Sequence, residues 1–410
     1  MPSLLSSLYT GVSGLQANSE AMGILGDNIS NVNTVGFKSS RAVFSDLFST
    51  ILANGSTTRQ LGRGSNLLSS LKDFSQGAFE SSSNALDMAL DGSGFFVINN
   101  GTGNQYTRAG QFRMNENGLV QTVTGGTLQG QKIENGVVSE TVGNIDLAGI
   151  QSAPEATTTF TAGSNLNSAA TAASTFVTPV SIYNSVGTQV IASIKYTKVS
   201  SANSWNYTVS TSTGSVTSGA SGTVSFNNSG QLTSPTADQT IVIDYSSSNP
   251  PAATQTLTWD LMNSSGTTNG KLTGYAAASN NNSIVQDGYG TGTLIGLTTD
   301  SKGIISGLFN NGQTDQLFQV TLGDFLAPSG LQRAGQNLFS ETAESGQVVL
   351  GTAGTGGFGG ITSQSLELSN VDLAEQFVSL IQNQQAYQAS ARIITTTCLL
   401  YTSPSPRDGL

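Results

Sequence analysis

The sequence predicts a mainly β, multi-domain protein with long N- and C-terminal α-helices and two β-domains, the outer one inserted in the inner one. Both ends of the 410-residue chain carry apolar residues at heptad spacing. The middle carries short alternating apolar runs separated by Gly, Asn and Asp. From about residue 151 to 287 the composition shifts to Ser, Thr, Ala and Asn, which indicates a further domain. A chain of this length holds about two to four domains.

The N-terminal element is a predicted coiled-coil-like helix over residues 1–32. Small or apolar residues recur there at alternating steps of four and three, which places them on one face of a helix. Ser19 and Gly26 are the small members of this stripe. The apolar members form the first half of a predicted self-assembly seam: Leu5, Leu8, Val12, Leu15, Met22 and Ile29.

A second amphipathic helix is predicted over residues 369–397, where Ser369 and Asp372 form a helix-start pattern of the Ser-x-x-Asp kind. The second half of the seam consists of Leu373, Phe377, Leu380, Tyr387 and Ile394. Because the residues between the helices are predicted to build their own cores, we expect the stripes to become ordered by packing against each other and against further copies of the chain. The alternative is that both helices pack on the globular body of one copy.

The inner β-domain is predicted over residues 76–150 and 288–350. Residues 94–98 followed by Asn99-Asn100-Gly101 form a strand-and-turn pattern, and Asn117-Gly118 is a hairpin signal. A similar pattern returns over residues 294–312. Residues 33–75 and 351–368 are predicted to connect this domain to the helices.

The outer β-domain is predicted over residues 151–287. Runs such as 180–183 and 240–245 have the composition of strands and alternate with polar turns. Trp205, Tyr207 and Trp259 supply large side chains for a core. The alternative is a disordered stalk rich in Ser and Thr, which would contain fewer apolar residues than this segment does.

The composition excludes several classes of site. Only 10% of the residues are charged, against about 25% in ordinary soluble proteins, so the predicted surface can pack against copies of itself without desolvating many ions. The net charge of −10 argues against nucleic-acid binding. The chain has no histidine and one cysteine, Cys398, which removes histidine-based catalytic and metal sites and any intrachain disulfide.

We therefore predict no catalytic residue, no cofactor and no metal, and no enzyme activity. Residues 354–359 read Gly-Thr-Gly-Gly-Phe-Gly, the letters of a dinucleotide fingerprint, but no helical pattern follows that could receive a pyrophosphate. A flexible connection is expected there instead. The N-terminus lacks the features of a cleaved secretory signal and no stretch reaches 18 apolar residues, so membrane insertion is not expected.

The run over residues 27–38, Asp-Asn-Ile-Ser-Asn-Val-Asn-Thr-Val-Gly-Phe-Lys, is the most specific motif. Repeated Asn with a following Gly indicates a sharply structured exit from the helix, since Asn side chains bond nearby backbone groups and tolerate left-handed geometry. An ordinary helix C-terminal turn explains the same residues. The pattern alone does not choose between these two interpretations.

This run, with Ser13-Gly14-Leu15-Gln16-Ala17, resembles the N-terminal signature of the bacterial flagellar rod and hook proteins. Blocks at residues 76–96, 106–112, 128–130, 330–339 and 369–387 are similar to further parts of that family. The resemblance covers about the first 150 residues and residues 290–397. The family-motif residues it singles out are Asn28, Asn31, Asn33, Thr34, Gly36, Phe37, Gly92, Gly94, Phe95, Phe96, Asn370 and Asp372.

The resemblance implies a homo-oligomeric helical tube in which the terminal helices form the inner layer. It implies the flagellar rod, the hook cap, the hook–filament junction proteins and the type III export apparatus as partners. The implied location is extracellular, at the basal body and hook, without a cleaved signal peptide. The long inserted domain favours the hook branch of the family, a flexible joint that transmits motor torque. The alternatives are a distal rod protein and a secreted β-rich glycan-binding or hydrolytic surface protein.

The chain departs from the family pattern after Thr397. Residues 398–410 contain Pro404, Pro406 and Gly409, which cannot continue a helix. We expect this segment to be a non-native tail that weakens assembly.

Overall fold

Two long helices bracket a chain that is otherwise built of strands. The computed structural model describes residues 2–47, 50–54, 57–200 and 203–402. Helix α1 spans Pro2–Ser30 and helix α2 spans Leu373–Thr402. The predicted fold class, mainly β with a helix at each end, is confirmed. No helix of the described ranges is long and apolar enough to cross a membrane.

Both helices differ from their predicted bounds at one or more ends. Helix α1 ends two residues early, where the Asn-rich turn begins. Helix α2 begins at Leu373 instead of residue 369, because Asp372 and not Ser369 caps its first turn. It continues past Thr397 to Thr402, into the predicted tail, since residues 398–402 contain neither Pro nor Gly. Residues 403–410 lie outside the described residues.

The strands of the described ranges form three successive sets. The first set is β1 Ser40–Asp46, β2 Thr50–Asn54, β3 Thr57–Leu61, β4 Ser65–Lys72, β5 Phe79–Ser81, β6 Met88–Asp91, β7 Phe95–Asn99, β8 Asn104–Thr107, β9 Phe112–Met114, β10 Val120–Thr122, β11 Thr127–Glu134 and β12 Val137–Asn144. The second set is β13 Gln151–Ser152, β14 Thr159–Asn165, β15 Thr175–Tyr183, β16 Gln189–Lys198, β17 Ser204–Thr211, β18 Ser215–Ser218, β19 Ser221–Phe226, β20 Leu232–Ser234, β21 Gln239–Asp244, β22 Gln255–Trp259, β23 Leu272–Thr273 and β24 Asn280–Gln286. The third set is β25 Gly292–Thr299, β26 Ile304–Phe309, β27 Thr314–Asp324, β28 Gln332–Gly335, β29 Leu338–Ser340, β30 Val349–Thr352, β31 Gly360–Ser363 and β32 Ser365–Glu367.

The chain divides into two compact units. The inner unit contains residues 1–149, 297–307 and 316–410, and the outer unit contains residues 150–296 and 308–315. This division gives residues 288–296 and 308–315 to the outer unit, whereas the sequence pattern placed them in the inner β-domain.

The inner unit is organised around an antiparallel sheet in the order β27-β11-β7-β8-β29-β28. Its core includes Phe95, Tyr106 and Phe339. The segment predicted to connect α1 to this sheet is itself structured, because β1 pairs with β4 and β2 with β3 in antiparallel hairpins. The second predicted connection, residues 351–368, contains β31 and β32, which pair with β6 and β5.

The outer unit contains two sheets around one core. The first is an antiparallel sheet in the order β15-β16-β17-β19-β20, and the second runs β18-β21-β22-β14-β23 with β24 on the other edge of β14. Trp205 and Trp259 are both 1% exposed or less. Trp259 lies 5.3 Å from Tyr207 and 6.1 Å from Phe160 between ring centroids. This aromatic core explains why the Ser- and Thr-rich segment is folded.

Candidate assembly site

Helices α1 and α2 pack against each other as an antiparallel pair through small residues. Asn28 near the end of α1 bonds Gln376 in the second turn of α2, and Gly11 faces Ile394 near the other end. A Cβ added to Gly11 would lie 2.9 Å from Ile394 Cγ1, and one added to Gly14 would lie 2.9 Å from Ser390 Oγ. Ala17 and Ala21 are each 1% exposed. The glycines therefore allow the two helices to approach closely.

The residues of the predicted seam divide into two groups. Leu8, Leu15, Met22, Ile29, Leu380 and Ile394 are partly buried, and Val12, Leu373, Phe377 and Tyr387 are exposed. The side chain of Leu5 lies outside the described residues. The seam prediction selected the larger apolar residues of α1, whereas its buried residues are Gly11, Ala17, Ala21 and Asn28, the first three of which are small. The spacing of Gly11, Gly14, Ala17 and Ala21 by steps of three and four was the signal for this face.

Helix α2 presents an apolar face to solvent. Phe377, Val378 and Ile381 are 49%, 55% and 53% exposed, and their spacing places them on one side of the helix. Tyr9 and Val12 of α1 are also exposed. Neighbouring exposed apolar residues of this kind mark an interaction surface.

Asn28 joins three elements at the end of α1. Its side-chain Nδ2 donates to the Ser40 carbonyl at 2.7 Å, and its Oδ1 accepts from the Ser40 backbone N–H at 2.9 Å. The same Nδ2 lies 2.9 Å from Gln376 Oε1 of α2. Asn28 is 1% exposed. Its amide thus pairs with β1 as a peptide group would, which makes the motif a structured exit from the helix.

The following motif residues shape the turn after α1. Asn31 Nδ2 donates to the Asp27 carbonyl at 2.8 Å, and Thr34 Oγ1 lies 3.1 Å from Asn31 Oδ1. Asn33 is exposed. Gly36 has a φ of +67°, and an added Cβ would lie 2.6 Å from the Arg108 carbonyl carbon, so only glycine fits. Phe37 is buried beneath the Arg333 guanidinium, whose carbon lies 5.2 Å from the ring centroid.

Asn370 and Asp372 prepare the start of α2. Asn370 Oδ1 accepts from the Ser39 N–H at 2.8 Å, and its Nδ2 donates to the Asp73 carbonyl at 2.9 Å. Asp372 Oδ1 accepts from the Ala374 N–H at 2.8 Å, as an N-cap residue does. Asn370 therefore ties the start of α2 to the chain on both sides of the β1–β4 hairpin.

A buried ion pair lies beside these asparagines. Lys38 Nζ lies 2.6 Å from Glu367 Oε1, and both side chains are fully buried. Lys38 Nζ also donates to the Ser75 carbonyl at 2.6 Å, and Glu367 Oε1 accepts from the Gly77 N–H at 2.9 Å. Burial lowers the pKa of Lys38, and the Glu367 carboxylate partly offsets that effect. The pair joins segments 329 residues apart, and no sequence pattern indicated it.

Of the remaining family-motif residues, Gly94, Phe95 and Phe96 are buried in the inner unit, whereas Gly92 is exposed. Phe95 and Phe96 are 1% exposed or less, and Phe95 contacts Phe325 and Phe339 edge to face. Gly92 and Gly94 have φ values of +110° and +119°, and a Cβ on Gly92 would lie 3.0 Å from the Gly359 Cα. Gly92 thus allows the ends of β6 and β31 to approach closely, and Gly94 lies against Phe358 and β27.

A groove of about 550 Å³ opens beside the motif. Its apolar wall includes Val35, Phe37, Val123, Leu338 and Phe339. An ion pair between Arg333 and Asp27, at 2.7 Å, lies on its rim. Polar residues such as Thr34, Gln111 and Gln336 also line it, so the groove has a mixed apolar and polar lining and one ion pair on its rim.

The run that carries the letters of a dinucleotide fingerprint is not followed by a helix. Residues 354–359 form a turn in which the Gly354 N–H donates to the Gly359 carbonyl, and strand β31 follows instead of a helix. The turn is therefore fixed by hydrogen bonds, contrary to the flexible connection that we predicted. Among the described residues, no group of three or more Cys, Asp or Glu is placed to hold a metal ion.

Four family models match the chain. Residues 8–38 match the flagella basal body rod protein model, and residues 89–165 match the flagellar hook protein FlgE/F/G D1 domain. Residues 144–289 match the flagellar basal body protein FlaE D2 domain. Residues 362–397 match the C-terminal region of the flagellar basal body rod FlgEFG proteins.

Several relatives that match over nearly their whole length are flagellar hook proteins. The flagellar hook protein FlgE of Borreliella burgdorferi is 34% identical, with 96% of this chain and 97% of the relative covered. The flagellar hook proteins FlgE of Rhizobium meliloti and Escherichia coli are 32% and 31% identical, with 96% and 94% of this chain and 97% and 96% of the relatives covered. A crystal structure of the Helicobacter pylori flagellar hook protein FlgE2 is similar with a TM-score of 0.44 and 14% identity, covering 70% of this chain and all of that one.

Proposed function

The chain belongs to the flagellar hook protein family, and from that premise we propose that its copies assemble into a flexible tube that transmits torque from rod to filament. The observation that carries the proposal is the apolar face of α2, where Phe377, Val378 and Ile381 are about half exposed. In a tube of many copies this face is covered by the helices of neighbouring subunits. The α1–α2 pair then forms the inner layer, and the seam residues divide between the pair and its neighbours.

The outer unit suits the outside of a bending tube. A curved, rotating tube needs contacts that shorten and lengthen in every turn, and wet polar interfaces without strong ion pairs permit this. The low charge of the chain and its abundance of Ser, Thr and Asn supply such a surface. We further propose the layers that the family resemblance implies, with the terminal helices inside, the inner β-domain in the middle layer and the inserted domain outside.

The proposed role is mechanical and includes no catalysis, cofactor, nucleic acid or membrane insertion. The partners are further copies of the chain, the flagellar rod, the hook cap and the hook–filament junction proteins. The location is the extracellular part of the flagellum, reached through the type III export apparatus without a cleaved signal peptide. Curated relatives described as hook proteins and the matched D2 model favour the hook over the distal rod and over a glycan-binding or hydrolytic surface protein.

A substitution on the exposed face of α2 tests the proposal. The purified full chain is incubated with basal bodies that carry a hook cap and is examined by electron microscopy. We expect curved tubes from the parent and none from the F377S/I381S variant, whose helical circular dichroism should remain unchanged. The matched control is Q382S/Q385S, which changes exposed polar residues of the same helix. Normal tubes from F377S/I381S, or no tubes either from the parent or from a parent shortened at Thr397, would contradict the proposal.

A further inference from the structure

Leu326 is an apolar side chain held out into solvent by a fixed loop. It is 96% exposed, the highest value among the exposed large apolar side chains of the described residues. Its neighbours are anchored: Phe325 is 5% exposed and lies 4.7 Å from Tyr106 between ring centroids, and Leu331 is 5% exposed. A leucine presented in this way has the character of an interface anchor.

Hydrogen bonds fix the loop between these two anchors. The Ala327 N–H donates to the Ser345 carbonyl at 3.3 Å, and Thr342 Oγ1 donates to the Gly330 carbonyl at 2.7 Å. A short 3₁₀ turn, Pro328–Gly330, lies between them. Little conformational entropy is therefore left to lose when Leu326 is buried by a partner.

The groove described above has the properties of a receptor for this loop. Val123, which is 59% exposed, and the partly buried Val35 offer apolar contact there, whereas Phe37 and Leu338 are already buried in the single chain. The groove volume of about 550 Å³ is sufficient for one large side chain and its neighbours. Its rim charges, Asp27 and Arg333, are already paired with each other. Residues 325–332 carry no charge, so inserting them would leave no ion unpaired.

We infer that Leu326 of one copy inserts into this groove of the next copy, an inference that rests on the proposed tube. The loop that carries Leu326, called the knob below, and the groove belong to the same compact unit of the chain. They are different surfaces of that unit. A contact between two different surfaces is heterologous, so each added copy leaves a new knob or groove free. Repetition of this contact builds an open helical assembly and connects neighbouring inner β-domains in the middle layer of the wall.

Disulfide trapping tests the pairing directly. In a C398S background, one cysteine replaces Leu326 and a second replaces Val123, which lines the groove and is 59% exposed. Assembled and oxidised L326C/V123C should give a ladder of covalent dimers, trimers and longer species on a non-reducing gel. The same protein oxidised as a dilute monomer should give none. The control pair L326C/V137C, whose second site is 70% exposed on β12 away from the groove lining, should give no ladder.

The outcomes separate the inference from the proposed function. Tubes without a ladder from L326C/V123C, or an equal ladder from L326C/V137C, would overturn the inference alone. Failure of the C398S parent to form tubes would instead contradict the proposed function. As a second measurement, L326A should raise the critical concentration for assembly about 10- to 100-fold, because a buried leucine is lost. L326M should change it little, and an unchanged critical concentration for L326A would also overturn the inference.

Discussion

Lys38 and Glu367 form a fully buried ion pair, 2.6 Å between Nζ and Oε1, that joins the exit from the first helix to the approach to the second. The Gly36 N–H donates to the backbone carbonyl of Glu367 at 2.7 Å, so the two segments are also joined by their main chains. The pair holds together the segment that follows α1 and the segment that precedes α2, within the inner unit. Its removal should therefore affect the helices first.

We predict that E367Q destabilises the inner unit by about 3–5 kcal/mol, because the Lys38 ammonium is left buried without its counter-ion. The double variant K38M/E367L should recover only part of this loss, because it removes the Lys38 charge but leaves the buried Arg108 guanidinium, 3.7 Å from Glu367 Oε2 in the parent, without its counter-ion. The two tryptophans of the chain, Trp205 and Trp259, both lie in the outer unit, so their fluorescence follows that unit alone. Urea unfolding of E367Q should shift the helical circular dichroism midpoint and leave the tryptophan midpoint unchanged. Equal losses in the single and double variants would contradict this account.

The close approach of the helices predicts unequal effects of the glycines in α1. G11L must displace Ile394, because even a Cβ at this position lies 2.9 Å from Ile394 Cγ1, and should cost about 1–3 kcal/mol. G23L is the matched control, since a Cβ there meets nothing within 4 Å and leucine has the higher helix propensity. Thermal unfolding of the monomer, followed at 222 nm, should show a loss for G11L only. A comparable loss for G23L would mean that the helix pair has a different contact face.

Lys72 should make the stability of the inner unit depend on alkaline pH. Burial lowers the pKa of Lys72 from 10.5 to about 8; the nearby Arg333 lowers it further, whereas Asp27 opposes the shift. Between pH 8 and 10.5 the folded protein has lost this proton while the unfolded chain retains it, so the contribution of Lys72 to stability rises with pH.

The K72M variant isolates this effect from other titrations. At pH 7 K72M should be more stable than the parent by about 1–2 kcal/mol, a value reduced for partial exposure to solvent. The difference should shrink as the pH rises from 8 to 10.5, where the parent gains stability. Urea unfolding followed by circular dichroism at a series of pH values provides the measurement. A difference that stays constant over this range would show that Lys72 is charged equally in both states.

Sequence periodicity located the two helices, but tertiary packing decided which residues they bury. The heptad pattern predicted that Leu15 and Met22 belong to the packing face of α1. The residues of α1 that contact α2 closely are instead Gly11, Gly14 and their small neighbours. The Asn-rich run was identifiable because Asn residues at Asn28 and Asn31 bond backbone groups close in sequence. The ion pair between Lys38 and Glu367 could not be identified from the sequence, since two single charges 329 residues apart leave no local pattern.

The turn between β28 and β29 leads to a last prediction, on backbone strain beside the groove. Gly335 pairs with Leu338, so Gln336 and Asn337 form a two-residue hairpin loop, with φ values of +53° and +58°. Such a loop favours Asn and Gly, whereas Gln in the left-handed region costs about 1 kcal/mol or more. Q336N should therefore stabilise the inner unit by about 0.5–1 kcal/mol, measured by urea unfolding at 222 nm. N337G is the contrasting variant, because glycine also accepts the left-handed geometry at this second position but loses the bond from Asn337 Nδ2 to the Val35 carbonyl, 2.9 Å long. It should gain less than Q336N or lose stability; equal gains in both variants would mean that this bond does not hold the hairpin against the motif.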